Sequence, residues 1–152
     1  MDTTEIVKKQ NKTIDLTFWK YFQNGEINKI ESELFGTNYK LHFPGSPQPL
    51  NASEGKEIMK GFKNAFPDLA FTIEKQIAEG DLTATRFTVR GTHKAEFRGI
   101  SPTNKKILLT GTAINRIVNN KIVERWTELN MLSLMQQIGA VPETATALHN
   151  GY

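Results

Sequence analysis

The sequence predicts an α+β fold: N-terminal helices packed on a curved, mainly antiparallel sheet that encloses a pocket. Two observations carry this. Up to residue 66 apolar side chains recur every three to four positions, and from residue 69 onward every two. The helical part precedes the strand part as a block, with no internal repeat, which is the order of an α+β chain and not of alternating βαβ units. At 152 residues the chain has the size of one domain and can bury a core without disulfides or metals.

Each element has its own signal. Over 4–23, Val7, Ile14, Phe18 and Phe22 recur on one helical face, with Thr3 or Thr4 as cap and Gly25 as stop. A second short helix fits 26–34, with Ile27, Ile30 and Leu34 on one side. Tyr39–Phe43 reads as a strand, and the three prolines between Pro44 and Pro49 force a loop. Ser53 is placed to cap a third helix, which buries Ile58, Phe62 and Phe66 and stops at Pro67. In 69–79, Leu69, Phe71, Ile73 and Ile77 share one strand face, and Gly80-Asp81 turns the chain. In 82–94 the odd positions carry Phe87, Val89 and His93, the even ones Arg86, Arg90 and Lys94. Strands over 106–118 and 121–130 flank Asn119-Asn120, a pair that tolerates positive φ. Met131–Ile138 reads as a closing helix before Gly139. A four-strand meander covered by helices on one face becomes concave through its twist, which leaves a pocket beneath the helices.

Composition narrows the classes of function. The chain has no cysteine, so neither disulfides nor thiolate metal sites are available. The N-terminus has no apolar segment of signal-peptide length, and no window is long and apolar enough to span a membrane; a cytoplasmic protein is the simplest expectation. The net charge is +3, and residues 82–142 hold nine Lys/Arg against three acids. These bases are scattered singly among strand positions with no aromatic platform between them, so a solvated sheet face is expected and not a nucleic-acid site.

Motifs then add a resemblance. Phe66-Pro67-Asp68-Leu69 leads into Ile77-Ala78-Glu79-Gly80-Asp81, followed by Gly91-Thr92-His93, Pro102-Thr103 and Gly111-Thr112. The tail is Arg116-Ile117, Lys121-Ile122-Val123-Glu124, Trp126 and Leu134-Met135-Gln136-Gln137-Ile138-Gly139. In this order and spacing the set resembles the SnoaL-like polyketide (ester) cyclases of the nuclear-transport-factor-2-like superfamily. The resemblance runs over about 5–140 of a single domain spanning 1–152, with 141–152 as a short tail. It implies a cone-shaped α+β barrel, and a homodimer formed through the sheet. It also implies intramolecular aldol chemistry on a small apolar or aromatic carbonyl compound, without metal or cofactor.

In that family an aspartate four residues after the last-strand tryptophan is the acid/base. Here Trp126 is followed by Asn130, which can donate a hydrogen bond to a carbonyl but cannot take up a proton at neutral pH. Strand alternation puts Trp126, Glu128 and Asn130 on one face, with Glu128 about 6.6–6.8 Å from Asn130, as a substitute base. His93 is a second candidate for proton transfer, and His42, which matches a family histidine, a pocket wall. The expected catalytic set is therefore Asn130, His93 and Glu128. The expected ligand-binding set is His42, Trp126, Phe18, Phe22, Phe62 and Phe87. No third ligand accompanies the two histidines, so no metal site is expected. Three functions remain: a cofactor-free cyclase, lyase or isomerase, a non-catalytic small-molecule binder, and an assembly module.

Overall fold

The computed structural model describes residues 2–142; the tail expected over 141–152 lies outside them from residue 143 on. Helix α1 (Thr3–Gln23) opens the chain, then α2 (Ile27–Lys29), which widens into a π-helical turn at Ile30–Leu34. Strand β1 (Phe35–His42) and helix α3 (Ala52–Ala65) follow. Strands β2 (Ala70–Glu79), β3 (Leu82–Thr92), β4 (Lys106–Val118) and β5 (Lys121–Leu129) form an antiparallel meander, and α4 (Met131–Gln137) ends the fold. The sheet order is β1-β5-β4-β3-β2, with β1 parallel to β5 at one edge. The expected α+β fold with a mainly antiparallel sheet is what forms.

Local chemistry explains the boundaries. Asp2, not Thr3 or Thr4, caps α1 by accepting the Glu5 backbone N–H at 2.9 Å. Asn51, not Ser53, caps α3, in a reciprocal box with Glu54. Gly25 leaves α1 at φ +77°, while Asn119 and Asn120 take the β4–β5 turn at φ +50° and +63°. β1 begins four residues earlier than the expected Tyr39. The stripe that α1 buries is Asn11, Asp15, Phe18, Trp19 and Phe22, rotated from the expected one, so Val7 is exposed.

Two strands carry one extra residue, and both consequences differ from simple alternation. In β2 the pairing passes from Ile73↔Phe87 to Lys75↔Arg86, so Glu74 is the extra residue. Beyond it the inward positions become Gln76 and Ala78, and Ile77, expected inside, is exposed. In β5 the pairing passes from Ile117↔Ile122 to Arg116↔Glu124, so Val123 is the extra residue. Ile122 faces inward, but after Val123 the inward positions are Arg125, Thr127 and Leu129. Such bulges invert which side chains a strand presents and sharpen its twist. β1 makes room for the second one. A Cβ on Gly36 would stand 2.9 Å from Val123 Cγ1 and 3.2 Å from Lys121 Cβ.

The core lies between the concave face and the helices. Phe18, Trp19 and Phe22 of α1 pack on Phe71 of β2 and Phe87 of β3, with ring centroids 4.5–6.1 Å apart. Phe87 pairs across the ladder with Gly111, where a Cβ would meet its ring at 2.4 Å. The missing side chain at Gly111 lets the Phe87 ring lie across the sheet. At the other end, Gln137 of α4 accepts the Leu108 N–H and donates to its carbonyl, which covers the part of β4 that β5 does not reach. No helix among the described residues is long and apolar enough to cross a membrane.

Candidate functional site

Between the sheet and helices α1 and α3 lies a narrow cavity of about 70 Å³. Its walls are apolar: Phe18, Trp19 and Phe22 from α1, Ile58, Met59 and Phe62 from α3, and Phe71, Phe87, Val89, Ile107 and Leu109 from the sheet. Leu41, Phe43 and Leu129 line it from β1, the following loop and the end of β5.

Among the described residues one charged side chain belongs to this lining. Arg125 is 4% exposed, and its Nη1 donates to Asn115 Oδ1 at 3.0 Å. Its guanidinium carbon lies 4.0 Å from the Phe18 ring centroid and 4.8 Å from that of Trp19, a cation–π arrangement. Behind it, Asn115 Nδ2 donates to Asp15 Oδ1 at 2.8 Å, and Gln76 Nε2 to Asp15 Oδ2 at 2.8 Å. The Thr85 hydroxyl also bonds that carboxylate. Asp15 is fully buried on α1, so a carboxylate accepting from three neutral donors sits one residue behind the cavity wall. Burial lowers the Arg125 pKa, against the field of Tyr39 and Asp15. Tyr39 also lines the cavity, stacked on Phe35 at 3.7 Å. Burial raises its hydroxyl pKa and Arg125 partly offsets this, so at neutral pH Tyr39 is a neutral donor.

Comparison with known proteins fits this architecture. The sequence profile of the SnoaL-like polyketide cyclases matches residues 13–138. The chain belongs to that family. IdmH of Streptomyces antibioticus, a candidate polyketide cyclase, is 27% identical. It superposes at a TM-score of 0.77 over 86% of this chain and 99% of its own. A candidate polyketide cyclase from Acidithiobacillus ferrooxidans is 26% identical, at 0.72 over 85% and 94%. AclR of Streptomyces galilaeus, a candidate hydroxylase, is 24% identical, at 0.84 over 95% and 90%, and shares the fold. No curated protein matches the chain in sequence.

Within this SnoaL-like cone the residues singled out from sequence separate into two groups. Phe18, Phe22, Phe62 and Phe87 line the cavity. Trp126, Glu128 and Asn130 do not, because the Val123 bulge gives their neighbours the inward positions. Trp126 stacks on His42 of β1, with centroids 5.2 Å apart, and His42 Nε2 lies 2.7 Å from Glu124 Oε2. That cluster, His42 included, stands on the outer face of the sheet. Glu128 is exposed there, and Asn130 caps α4 by accepting the Ser133 N–H at 3.0 Å. His93 is buried at the end of β3 beside Phe66, outside the cavity lining. Its Nδ1 accepts the Thr103 N–H at 3.3 Å and its backbone closes on Asn104 and Lys105, so the histidine fastens the loop before β4. Among the described residues no group of His, Asp or Glu is arranged to hold a metal.

Sequence reasoning missed Arg125, Asn115, Tyr39 and Asp15. For Asp15 a signal existed: Asn11 and Asp15 stand one turn apart in line with Phe18 and Phe22, and polar residues inside an apolar stripe must find buried partners. For Arg125 no local signal existed, since its placement depends on one unpaired residue upstream.

Proposed function

We propose that the cavity takes up a small, largely apolar or aromatic carbonyl compound and that the protein acts on it as a cyclase-type catalyst. The observation that carries this reading is an apolar chamber whose lining includes two side chains that donate hydrogen bonds, Arg125 and Tyr39, each within the other's field. Aromatic walls hold the rings, and the donors fix and polarise one oxygen. In an intramolecular aldol closure the α-carbon gives its proton to solvent at the cavity mouth, the enolate carbon attacks the second carbonyl carbon, and the resulting alkoxide takes a proton back from solvent. Folding the substrate so that the two carbons meet contributes the larger share of such a rate, since well-oriented intramolecular reactions gain about 7–11 kcal/mol. A hydrogen-bonded guanidinium lowers the barrier to the first step. No cofactor is needed for this chemistry.

A second reading is a non-catalytic binder of the same compounds. It is favoured by a specific observation: among the described residues no carboxylate or imidazole lines the cavity. Turnover of an aryl 1,3-dicarbonyl methyl ester, followed by mass spectrometry, separates the two. Accumulation of the cyclised product above the protein-free rate, abolished by Leu109→Trp, supports the catalyst. Saturable binding with no product supports the binder. Absence of both overturns the cavity as a ligand site. Leu108, Ile114 and Val118, exposed on the outer face of β4, also support association of two copies through the sheet, measurable by light scattering.

A further inference from the structure

Arg125 is a buried cation without a buried anion in contact. The protein gives its guanidinium one hydrogen bond, to a neutral carboxamide oxygen, and two aromatic faces. Buried charges are ordinarily paired, because an uncompensated one costs several kcal/mol. Asp15, the nearby carboxylate, does not meet that need directly. Its oxygens are taken by Gln76, Thr85 and Asn115, and no ion pair links it to Arg125.

The bonds among these residues have only one workable direction. A carboxylate only accepts and a guanidinium only donates, so Asn115 must turn its NH₂ to Asp15 and its oxygen to Arg125. Asn115 and Arg125 are direct partners in the β4–β5 ladder, and Gln76 is brought to Asp15 by the Glu74 bulge. The cluster therefore holds one edge of the guanidinium and leaves the remaining N–H groups without partners among the described residues. Arg125 is part of the cavity lining, and so is Tyr39.

We infer that the cavity recognises its ligand in an anionic form, as a ring compound whose enolate or carboxylate oxygen completes the coordination of Arg125, and that Asp15 and Asn115 are positioning residues for that contact. This rests on the reading of the cavity as a small-molecule site and adds the charge state of what enters it. Asp15 keeps negative charge behind the guanidinium without neutralising it at the cavity surface. Tyr39, which lies within the field of Arg125, is a further hydrogen-bonding side chain of the same lining. A neutral ketone would leave the cation unpaired and so is the weaker ligand.

Two probes separate the sources of the anionic oxygen. The first pair is 2-naphthoate and 2-naphthamide, equal in shape and different in charge, titrated calorimetrically at pH 7. Naphthoate is expected to bind at least about tenfold tighter, as charge-assisted hydrogen bonds allow. The second is 1-phenylbutane-1,3-dione, whose enolate has its own ultraviolet band. On the wild-type protein its apparent pKa is expected to fall by about one unit or more, the proton leaving to solvent. Enolate stabilisation without naphthoate preference assigns the site to enolates, and the reverse assigns it to carboxylates. Arg125→Met and Asn115→Leu are expected to bring the naphthoate-to-naphthamide ratio toward one, a ratio that loss of packing alone would not move.

Should naphthamide bind as tightly as naphthoate while the dione keeps its solution pKa, the inference is overturned and the cavity reading stands. Should no ring-sized probe bind at all, both fall. Both wild-type arms decide the matter even if the variants do not fold.

Discussion

Strands β3 and β5 are built from similar material and deliver it differently. β3 alternates without interruption from Leu82 to Thr92, so Thr83, Thr85, Phe87 and Val89 all face the helices and its arginines face out. β5 carries one residue more than its ladder can pair, Val123, and its arginine faces in while its tryptophan faces out. The regular strand makes a wall. The bulged strand makes the place where the wall acquires charge. β2 follows the same logic, since its own extra residue turns Gln76 toward Asp15. Both irregularities thus serve the polar cluster around Asp15, and Gly36 supplies the space that the one in β5 needs.

The contrast can be broken most severely by shifting β5 once more. Inserting a serine between Glu124 and Arg125 would turn Trp126 and Glu128 inward and Arg125 outward. Burying an unpaired carboxylate while emptying the core exceeds the whole stability of a domain, about 5–15 kcal/mol. Circular dichroism should show no cooperative unfolding transition. A cooperative melt near that of the wild type would mean that Val123 does not set the register.

Aromatic truncations on the two faces should differ next. Phe87→Ala removes an inward ring that fills the space over Gly111, at about 3–5 kcal/mol in urea denaturation. Trp126→Ala removes an outer ring stacked on His42, at about 1–2 kcal/mol. Similar losses at both positions would contradict the division into faces.

The paired carboxylates follow. Asp15→Ala strands the buried donors of Thr85 and Asn115 and leaves half-buried Gln76 only its bond to the Lys12 carbonyl, and should cost about 2–4 kcal/mol. Glu128→Ala, on the exposed face, should stay within about 0.5 kcal/mol. Removing a carboxylate thus costs much on the inner face and little on the outer, readable from two denaturation curves.

The smallest effect is expected at Asn130. Aspartate caps a helix as well as asparagine does and suits the N-terminal end of its dipole. Asn130→Asp should shift stability by no more than about 0.5 kcal/mol and leave any turnover of the dicarbonyl ester unchanged. A large gain in cyclisation would return position 130 to the reacting centre.

What could be read in the sequence was what depends on periodicity within an element. The helix-then-strand order, the hairpin turns at Gly80 and Asn119-Asn120, and the inward path of Phe18, Phe22, Phe62 and Phe87 all follow from local spacing. Ile77, Trp126 and Glu128 were misplaced for one shared reason. A bulge is defined by the partner strand, and a period of two has no way to register it from within. His42 and His93 were legible as strand-end histidines, but their partners, Glu124 and Thr103, come from elsewhere in the fold. Arg125 was hidden by the ordinary rule that charges face water, which holds unless a cluster such as Asp15 and Asn115 stands behind them.

The central claim is that the inner face of β5 carries the site. The chain contains no cysteine, so single thiols report each face without background. Thr127→Cys and Glu128→Cys, one residue apart, should differ sharply in their rate of reaction with a charged maleimide. The account predicts fast labelling at 128, slow labelling at 127, and a further slowing at 127 alone when 2-naphthoate is present. Fast labelling at 127 with protection by naphthoate at 128 would contradict it.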